Sequence, residues 1–149
     1  MFWDNEGGHK NKELYEILPK EYKNILFHVR GIYMKKDIIG VIGLGYVGLP
    51  LAIAFGKVVK TIGYDKSKNR IKEIQNYYDS TLELSTNELR KSKLFNCTDK
   101  LSQLSECNIF IITVPTPIFN NKKPNLSYIK NASYSVSKLI KKNDIIIYE

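Results

Sequence analysis

The chain has 149 residues, of which 43% are hydrophobic, and these values are typical of a folded domain with its own core rather than a disordered segment. Its formal net charge of +8 favours an anionic partner, and the alternative is a solvated lysine-rich surface. The lysines are scattered and no basic run is interleaved with aromatic residues, which argues against a nucleic-acid partner.

Cysteine and histidine residues are too few and too far apart for a metal centre. Cys97 and Cys107 form neither a CxxC nor a zinc pattern, and both histidines, His9 and His28, lie near the N-terminus. We therefore expect no metal ligands and two small buried cysteines. The low cysteine content and the charged N-terminus without a secretory signal predict a cytoplasmic protein.

The first 33 residues differ from the rest of the chain. They are polar, carry as many basic as acidic residues, and contain apolar positions at helical spacing between 22 and 29. A short helix near residues 20–30 is one interpretation, and a poorly ordered extension or upstream sequence translated ahead of a start at Met34 is the other. We interpret residues 1–33 as an N-terminal extension and residues 34–149 as the domain.

From Lys35 onward, strand-like and helix-like segments alternate. The predicted strands cover 37–43, 58–65, 94–99, 107–117 and 143–149, and the predicted helices cover 46–57, 66–78, a short segment after the capping box Ser85–Glu88, and 126–142. Several strands are apolar throughout, as parallel strands are when helices cover both faces of a sheet. The pattern predicts an α/β fold with a Rossmann-type doubly wound parallel sheet in a single domain.

The longest apolar stretch, from Ile38 to Gly56, contains 19 residues without a charge, which is long enough for a membrane helix. Its glycines and Pro50 divide it into a strand, a turn and a helix, and further strands and helices follow it. We therefore expect no membrane partner.

Three glycines in this stretch, Gly43, Gly45 and Gly48, form a GxGxxG pattern between the strand and the helix. The first glycine permits a tight turn, the second lets a pyrophosphate approach the backbone, and the third lets the helix lie close to the strand. The helix N-terminus then offers free N–H groups and the positive end of its dipole to phosphates. The pattern predicts a dinucleotide-binding turn.

An acidic residue follows at a suitable distance. Asp65 ends the second predicted strand, 22 positions after Gly43. A carboxylate there can accept hydrogen bonds from the ribose hydroxyls of an adenosine and repels a 2′-phosphate, which favours NAD over NADP. Lys66 and Lys68 come directly afterwards and soften that preference. The alternative role of Asp65 is to cap the helix that follows.

Five segments together resemble a known family. They are "IGVIGLGYVGLPLA", "GYDKSKNRI", "YDSTLEL", "FIITVPTPI" and "DIIIYE". They are similar to the N-terminal domain of the UDP-glucose/GDP-mannose dehydrogenases, and most similar to the branch that acts on UDP-N-acetylhexosamines for bacterial polysaccharide synthesis. The resemblance implies oxidation of a sugar C6 alcohol to the uronic acid, with two hydrides passed to two NAD molecules and a cysteine that captures the aldehyde.

The resemblance also implies the roles of individual residues. Asp65 would hold the adenosine ribose, Arg70 would lie beside the adenosine, and Glu149 would lie close to the cofactor. Thr116 would be catalytic and orient a water or the reacting groups, although a turn hydroxyl that satisfies backbone groups is the alternative. The residues lining the pyrophosphate would be Gly43, Leu44, Gly45, Tyr46, Val47 and Gly48, and those near the nicotinamide would be Val114, Pro115 and Thr116.

The sequence departs from the family in two ways. Tyr77 occupies a position that is usually glycine, and the family's sugar-binding domain, C-terminal domain and catalytic cysteine correspond to sequence beyond Glu149. We therefore expect a truncated chain that binds NAD but needs its missing domains to bind a nucleotide sugar, with a complementary chain or a homo-oligomer as partner. The alternatives are a non-catalytic NAD-binding remnant without activity and a self-contained NAD-sensing module.

Overall fold

The computed structural model of the chain describes residues 37–149. Five parallel strands form one sheet in this range: β1 (Ile39–Ile42), β2 (Thr61–Tyr64), β3 (Phe95–Thr98), β4 (Ile109–Ile112) and β5 (Ile145–Tyr148). The predicted N-terminal extension, its helix near residues 20–30 and the domain boundary at residue 34 lie outside the described residues.

Helices connect these strands. In chain order they are α1 (Gly48–Phe55), α2 (Lys68–Gln75), α3 (Thr86–Lys91) and α4 (Ser127–Ser137), with a 3-10 helix at Leu101–Glu106 between β3 and β4. The strand predicted over 107–117 is shorter than expected and ends at Ile112. The prolines that follow cannot donate to a sheet ladder, and the chain leaves the sheet there.

The sheet has the strand order β3-β2-β1-β4-β5. The chain moves outward from β1 to β2 and β3, crosses back to β4 on the other side of β1, and moves outward again to β5. Ligands of such sheets bind beyond the carboxyl ends of the strands, at the place where the winding reverses, which here is between β1 and β4. This arrangement confirms the predicted doubly wound α/β fold.

The core lies around the central strands. Every residue of β1 and β4 is buried, and so are seven of the eight residues of α1, because these segments are apolar throughout and have neighbours on both sides. Phe55 and Phe110, two of the largest fully buried side chains, are at most 2% exposed. The outer strand β5 is only half-buried and forms one edge of the sheet.

Two helices begin with serine caps. The Ser67 hydroxyl accepts a hydrogen bond of 3.3 Å from the Arg70 N–H at the start of α2, so Ser67 rather than Asp65 is the N-cap of this helix. At the start of α3, Ser85 and Glu88 each accept a hydrogen bond from the other's backbone N–H, which confirms the predicted capping box.

Tyr77, two residues beyond the end of helix α2, is in the left-handed conformation with a φ of 56°. The N–H groups of Tyr77 and Tyr78 donate to the carbonyl oxygens of Ile74 and Glu73, each at 2.9 Å, which is the hydrogen-bond pattern of a Schellman ending. Glycine adopts this conformation without strain, so the departure from the family at this position leaves the turn intact but strains it.

Replacement of Tyr77 by glycine should therefore stabilise the protein. The left-handed conformation costs a residue with a Cβ about 1 kcal/mol, but the change also removes the contact of the Tyr77 ring with the Arg90 guanidinium, worth about 0.5 kcal/mol at an exposed site. That guanidinium lies 4.4 Å from the ring centre. We expect Tyr77→Gly to add about 0.5 kcal/mol to the unfolding free energy in the wild type and about 1 kcal/mol in an Arg90→Ala background. Denaturant melts of the four proteins measure both values, and a loss of stability in both backgrounds would contradict the interpretation.

Candidate functional site

Four residues at the carboxyl edge of the sheet, each directly after a strand, form one row. The residue after each of four strands continues the ladder, because its N–H donates to the last residue of a neighbouring strand at 2.8 to 3.2 Å. In order across the sheet these residues are Asp65, Gly43, Thr113 and Glu149. The two ends of the row are three interstrand spacings apart, a distance of about 14 Å. The row therefore offers one continuous edge for an extended ligand.

The three glycines of the turn after β1 have different surroundings. Gly43 has a φ of +97°, which residues with a side chain rarely adopt. A Cβ on Gly48 would collide with the carbonyl oxygen of Gly43 and with Thr113 Oγ1, so α1 can approach the turn only with glycine there. A Cβ on Gly45 would meet nothing within 4 Å. The space beside Gly45 is therefore open to a ligand.

The backbone beside this open space carries unused donors. Within residues 37–149, the N–H groups of residues 45–48 have no protein acceptor, whereas the N–H of Leu49 already donates to Gly45. They lie at the N-terminus of α1, where the helix dipole adds positive potential. Such a group of donors fits the oxygen atoms of a phosphate.

Asp65 lies beside the turn, and each of its two carboxylate oxygens already accepts one hydrogen bond. Its Oδ2 accepts a hydrogen bond from the Leu44 N–H at 3.0 Å, and its Oδ1 accepts one from the Ser67 N–H at 2.8 Å. A carboxylate has about four acceptor positions, so each oxygen keeps a free one for a ligand hydroxyl. Asp65 therefore supports the turn and can accept hydrogen bonds from a ribose at the same time.

Tyr64 is the last residue of β2 and comes directly before Asp65 in the chain. Burial raises the pKa of Tyr64 above its usual value, and the negative charges of Asp65 and Asp99 raise it further. Tyr64 is therefore a neutral hydrogen-bonding group at physiological pH.

Arg70 lies beneath the turn and not on its surface. Its Nε donates to the Leu44 carbonyl oxygen at 2.7 Å, and its Nη2 donates to the Asp79 carboxylate at 2.7 Å. Its Nη1 donates to Glu73 and Ser80, both at 3.2 Å. The Asp79 side chain is fully buried and that of Arg70 is 10% exposed. Arg70 thus fixes the turn from below, and its predicted position beside the adenosine stays a prediction.

The Asp79 carboxylate organises the segment after α2. It accepts hydrogen bonds from the backbone N–H groups of Thr81, Glu83 and Leu84, at 3.0 to 3.2 Å. Burial alone would raise the pKa of Asp79, but hydrogen bonds from Thr81 and Arg70, with the positive charge of Arg70, outweigh burial and hold the pKa below its usual value. The carboxylate is therefore charged in the folded protein at neutral pH.

Thr113 is a structurally important residue that the sequence patterns did not single out. Its hydroxyl lies 3.1 Å from the Ile42 carbonyl oxygen and 2.7 Å from that of Gly43, so it links the end of β4 to the turn after β1. A partial signal was present, because Thr113 is a hydroxyl residue that directly follows the apolar run Ile109–Ile112 within the predicted strand. Only the strand order shows which strand that hydroxyl faces.

The other residues expected at the pyrophosphate differ in exposure. The Leu44 side chain is fully buried and lies over Gly63 of β2, where a Cβ would come within 2.8 Å of a Leu44 methyl group. Both backbone polar groups of Leu44 are also engaged, so this residue shapes the turn. Tyr46 is 66% exposed and Val47 is half-buried, and both are at the open side of the turn.

The residues expected near the nicotinamide follow β4 and β5. Val114 is half-buried and touches the turn, since a Cβ on Gly43 would lie 3.3 Å from its Cγ1. Pro115 and Thr116 are exposed, and the Thr116 hydroxyl has no hydrogen-bond partner within residues 37–149. Glu149 is exposed at the end of the row, where its N–H donates to Ile112 at 3.1 Å. The roles of these residues stay predictions.

Both cysteines are buried free thiols. Burial raises the pKa of Cys97 to about 11, and burial together with the charge of Glu106 raises that of Cys107 to about 12. They stay protonated at neutral pH, which is unsuitable for a nucleophile. Among the described residues, no three His, Cys, Asp or Glu side chains form a group that could hold a metal ion.

The comparison with known proteins covers the same range. Residues 37–149 match the model described as the UDP-glucose/GDP-mannose dehydrogenase family, NAD binding domain. The chain belongs to this family. The match confirms the predicted family and the predicted cofactor, NAD, and the free N–H groups and open Gly45 side of the turn fit that cofactor. Within residues 37–149, no helix has the length and apolar character needed to cross a bilayer.

Relatives within the dehydrogenase family come from several organisms. The chain is 47% identical over 116 residues to a UDP-N-acetyl-D-glucosamine 6-dehydrogenase of Pseudomonas aeruginosa, which covers 78% of this chain and 28% of that protein. A protein of the same name from Salmonella typhi is 45% identical over 111 residues, 74% of this chain and 26% of that protein. The structure of a UDP-D-ManNAc dehydrogenase from Pyrococcus horikoshii superimposes with a TM-score of 0.71 at 32% identity, over 75% of this chain and 28% of that one.

The surroundings of Gly45 and Gly48 predict that alanine affects cofactor binding at one position and stability at the other. Gly45→Ala should melt like the wild type, because its Cβ meets nothing, but should bind NADH at least about tenfold more weakly, because the methyl group occupies the phosphate side. Gly48→Ala should lose about 3 kcal/mol or more of unfolding free energy, because its Cβ collides with backbone. Thermal melts and NADH fluorescence titrations check both. A Gly48→Ala protein as stable as the wild type would contradict the geometry.

The buried ion pair predicts a pH-dependent defect. Asp79→Asn should cost about 3 kcal/mol at pH 7, since the Arg70 charge loses its buried partner. The folded-state pKa of Asp79 is lowered, so its stabilisation is present above the unfolded value of 3.8 and is lost as the pH falls through the folded value. The difference in unfolding free energy between the wild type and Asp79→Asn should therefore become smaller as the pH falls below 3.8. Urea melts across this range measure it, and Glu83→Gln, an exposed carboxylate of the same segment, is the control that should change little.

Proposed function

We propose that this chain provides the NAD-binding site of a UDP-N-acetylhexosamine 6-dehydrogenase. The observation that carries the proposal is at the carboxyl edge of the sheet: the free N–H groups of residues 45–48 follow Gly43 of the row, and Asp65 of the same row, which holds the Leu44 N–H of this turn, keeps unused acceptor positions. The names of the relatives support this substrate class, since they include dehydrogenases of UDP-N-acetyl-D-glucosamine and UDP-N-acetyl-D-mannosamine.

In this proposal each end of the row binds one end of the cofactor. Asp65 accepts hydrogen bonds from the adenosine ribose, and the N–H groups of residues 45–48 bind the pyrophosphate. Val114, Pro115, Thr116 and Glu149 line the nicotinamide side. NAD supplies the hydride acceptor when bound, and the exposed Thr116 hydroxyl orients a water or the reacting groups there. Arg70 and Thr113 hold the turn in shape.

Oxidation of a sugar would need more polypeptide than is described. The chain spans 26 to 28% of the length of the relatives above, and both described cysteines are buried thiols with raised pKa values. We propose that sugar binding and the covalent step depend on residues outside 37–149, on the same polypeptide, a complementary chain or another copy in an oligomer. Use of NAD and reduced cysteines are consistent with a cytoplasmic location.

Titration with NADH and NADPH tests the cofactor site. The full chain should enhance nicotinamide fluorescence saturably with NADH, and should bind NADPH at least about tenfold more weakly, because Asp65 repels the 2′-phosphate. Asp65→Asn keeps an oxygen for the Leu44 N–H but removes the negative charge. The NADPH Kd of this variant should therefore lie within about threefold of its NADH Kd. Lys72→Gln, which removes an exposed charge on α2, is the control and should leave the preference for NADH over NADPH unchanged. A cooperatively melting chain that binds neither nucleotide would refute the proposal.

A further inference from the structure

One contact crosses the site at the point where the winding reverses. Lys66 follows the end of β2, and Tyr128 lies in the first turn of α4, which follows β4. β2 and β4 are the two neighbours of β1 in the sheet. The Lys66 ammonium lies 5.4 Å from the centre of the Tyr128 ring. The contact thus joins the two sides of the crevice beyond the carboxyl end of β1.

The contact also lies on the adenosine side of the row. Lys66 comes directly after Asp65, the residue expected to hold the adenosine ribose. A base attached to that ribose lies within reach of the Lys66 backbone and side chain, and so of the ring that Lys66 touches. The Tyr128 side chain is available, since the residue is 38% exposed.

We propose that Tyr128 binds one face of the adenine base, and that Lys66 and Tyr128 separate when the base enters between them. The contact in this structure is then the closed arrangement of an adenine subsite. This inference rests on the proposed NAD site and adds to it a base-binding residue.

The exchange of partners is favourable on physical grounds. An aromatic ring at an exposed site attracts a cation weakly, whereas stacking of a nucleic-acid base on an aromatic ring is a stronger interaction. The base therefore displaces the ammonium from the ring, and the lysine returns to water or to the outer face of the base. Tyr128 contributes affinity through its ring, so its hydroxyl is dispensable.

The same helix offers a matched control. Tyr134 is 66% exposed and has the Lys138 ammonium 4.3 Å from its ring centre, so it makes the same kind of contact. It lies six positions further along α4, about 9 Å along the helix axis from Tyr128, and its ring contacts Lys138 and not Lys66. Loss of its ring should leave cofactor binding unchanged.

Affinity for NADH tests the inference on the full chain. Tyr128→Leu should raise the NADH Kd about tenfold, whereas Tyr128→Phe and Tyr134→Leu should stay within about twofold of the wild type. Tyr128→Gln should show the same loss as Tyr128→Leu, so a folding defect in one of them does not decide the result. Thermal melts accompany each titration.

A second ligand separates base binding from a structural role. Reduced nicotinamide mononucleotide has the fluorescent ring and a phosphate but no adenine, so Tyr128→Leu should bind it as the wild type does. Equal weakening of both ligands would overturn the inference, since Tyr128 would then act on the whole site. Unchanged or tighter NADH binding by Tyr128→Leu would also overturn it, and tighter binding would mean that the ring blocks the crevice. A wild-type chain that binds no NADH would instead refute the NAD site itself.

Discussion

The hydroxyl of Thr113 lies 2.7 Å from the carbonyl oxygen of Gly43, and this contact fixes the turn after β1 against the end of β4. The same two groups occupy the space that a side chain on Gly48 would need, so helix α1 can begin there only because residue 48 is glycine. The start of α1 determines where the free N–H groups of residues 45–48 point. The open ligand side of the turn thus depends on a closely packed side beneath it.

A second set of interactions supports the turn from the other direction. Leu44 has its N–H bound by Asp65 and its carbonyl bound by Arg70, whose guanidinium is in turn held by the buried Asp79. Asp79 also fixes the backbone after α2. The ligand turn and the segment after α2 therefore share one charged network, and the buried ion pair of Arg70 and Asp79 supports both.

Local sequence patterns predicted the fold and two parts of the site, the glycine turn and Asp65. One helix, α1, and one strand, β2, separate the glycine turn from Asp65 along the chain, so the pairing of β1 with β2 places them together almost automatically. The roles of Thr113 and Arg70 were different. The hydroxyl of Thr113 bonds a residue 70 positions earlier, and the Arg70 side chain contacts groups 26 positions before it and 9 after it. Such roles depend on strand order and helix placement, which no short motif contains.

The contact between Tyr128 and Lys66 belongs to the same class, because it joins α4 to the end of β2 across the sheet. The ending of α2 shows the opposite limit. The sequence identified Tyr77 as a departure at a glycine position, but the structure shows that the Schellman hydrogen bonds form with tyrosine in place. Strain at one residue is small compared with the packing that fixes the helix.

The double role of Asp65 has a consequence for cofactor engineering. Exchange of preference from NAD to NADP is usually sought by replacing the acidic residue with a small neutral one that leaves room for the extra phosphate. Here the carboxylate also accepts the N–H of Leu44 and that of Ser67, so alanine or glycine would leave two backbone donors without their acceptor and loosen the turn that holds the pyrophosphate. A successful redesign of this scaffold would have to keep an oxygen at position 65 and obtain its positive charge from a neighbouring position.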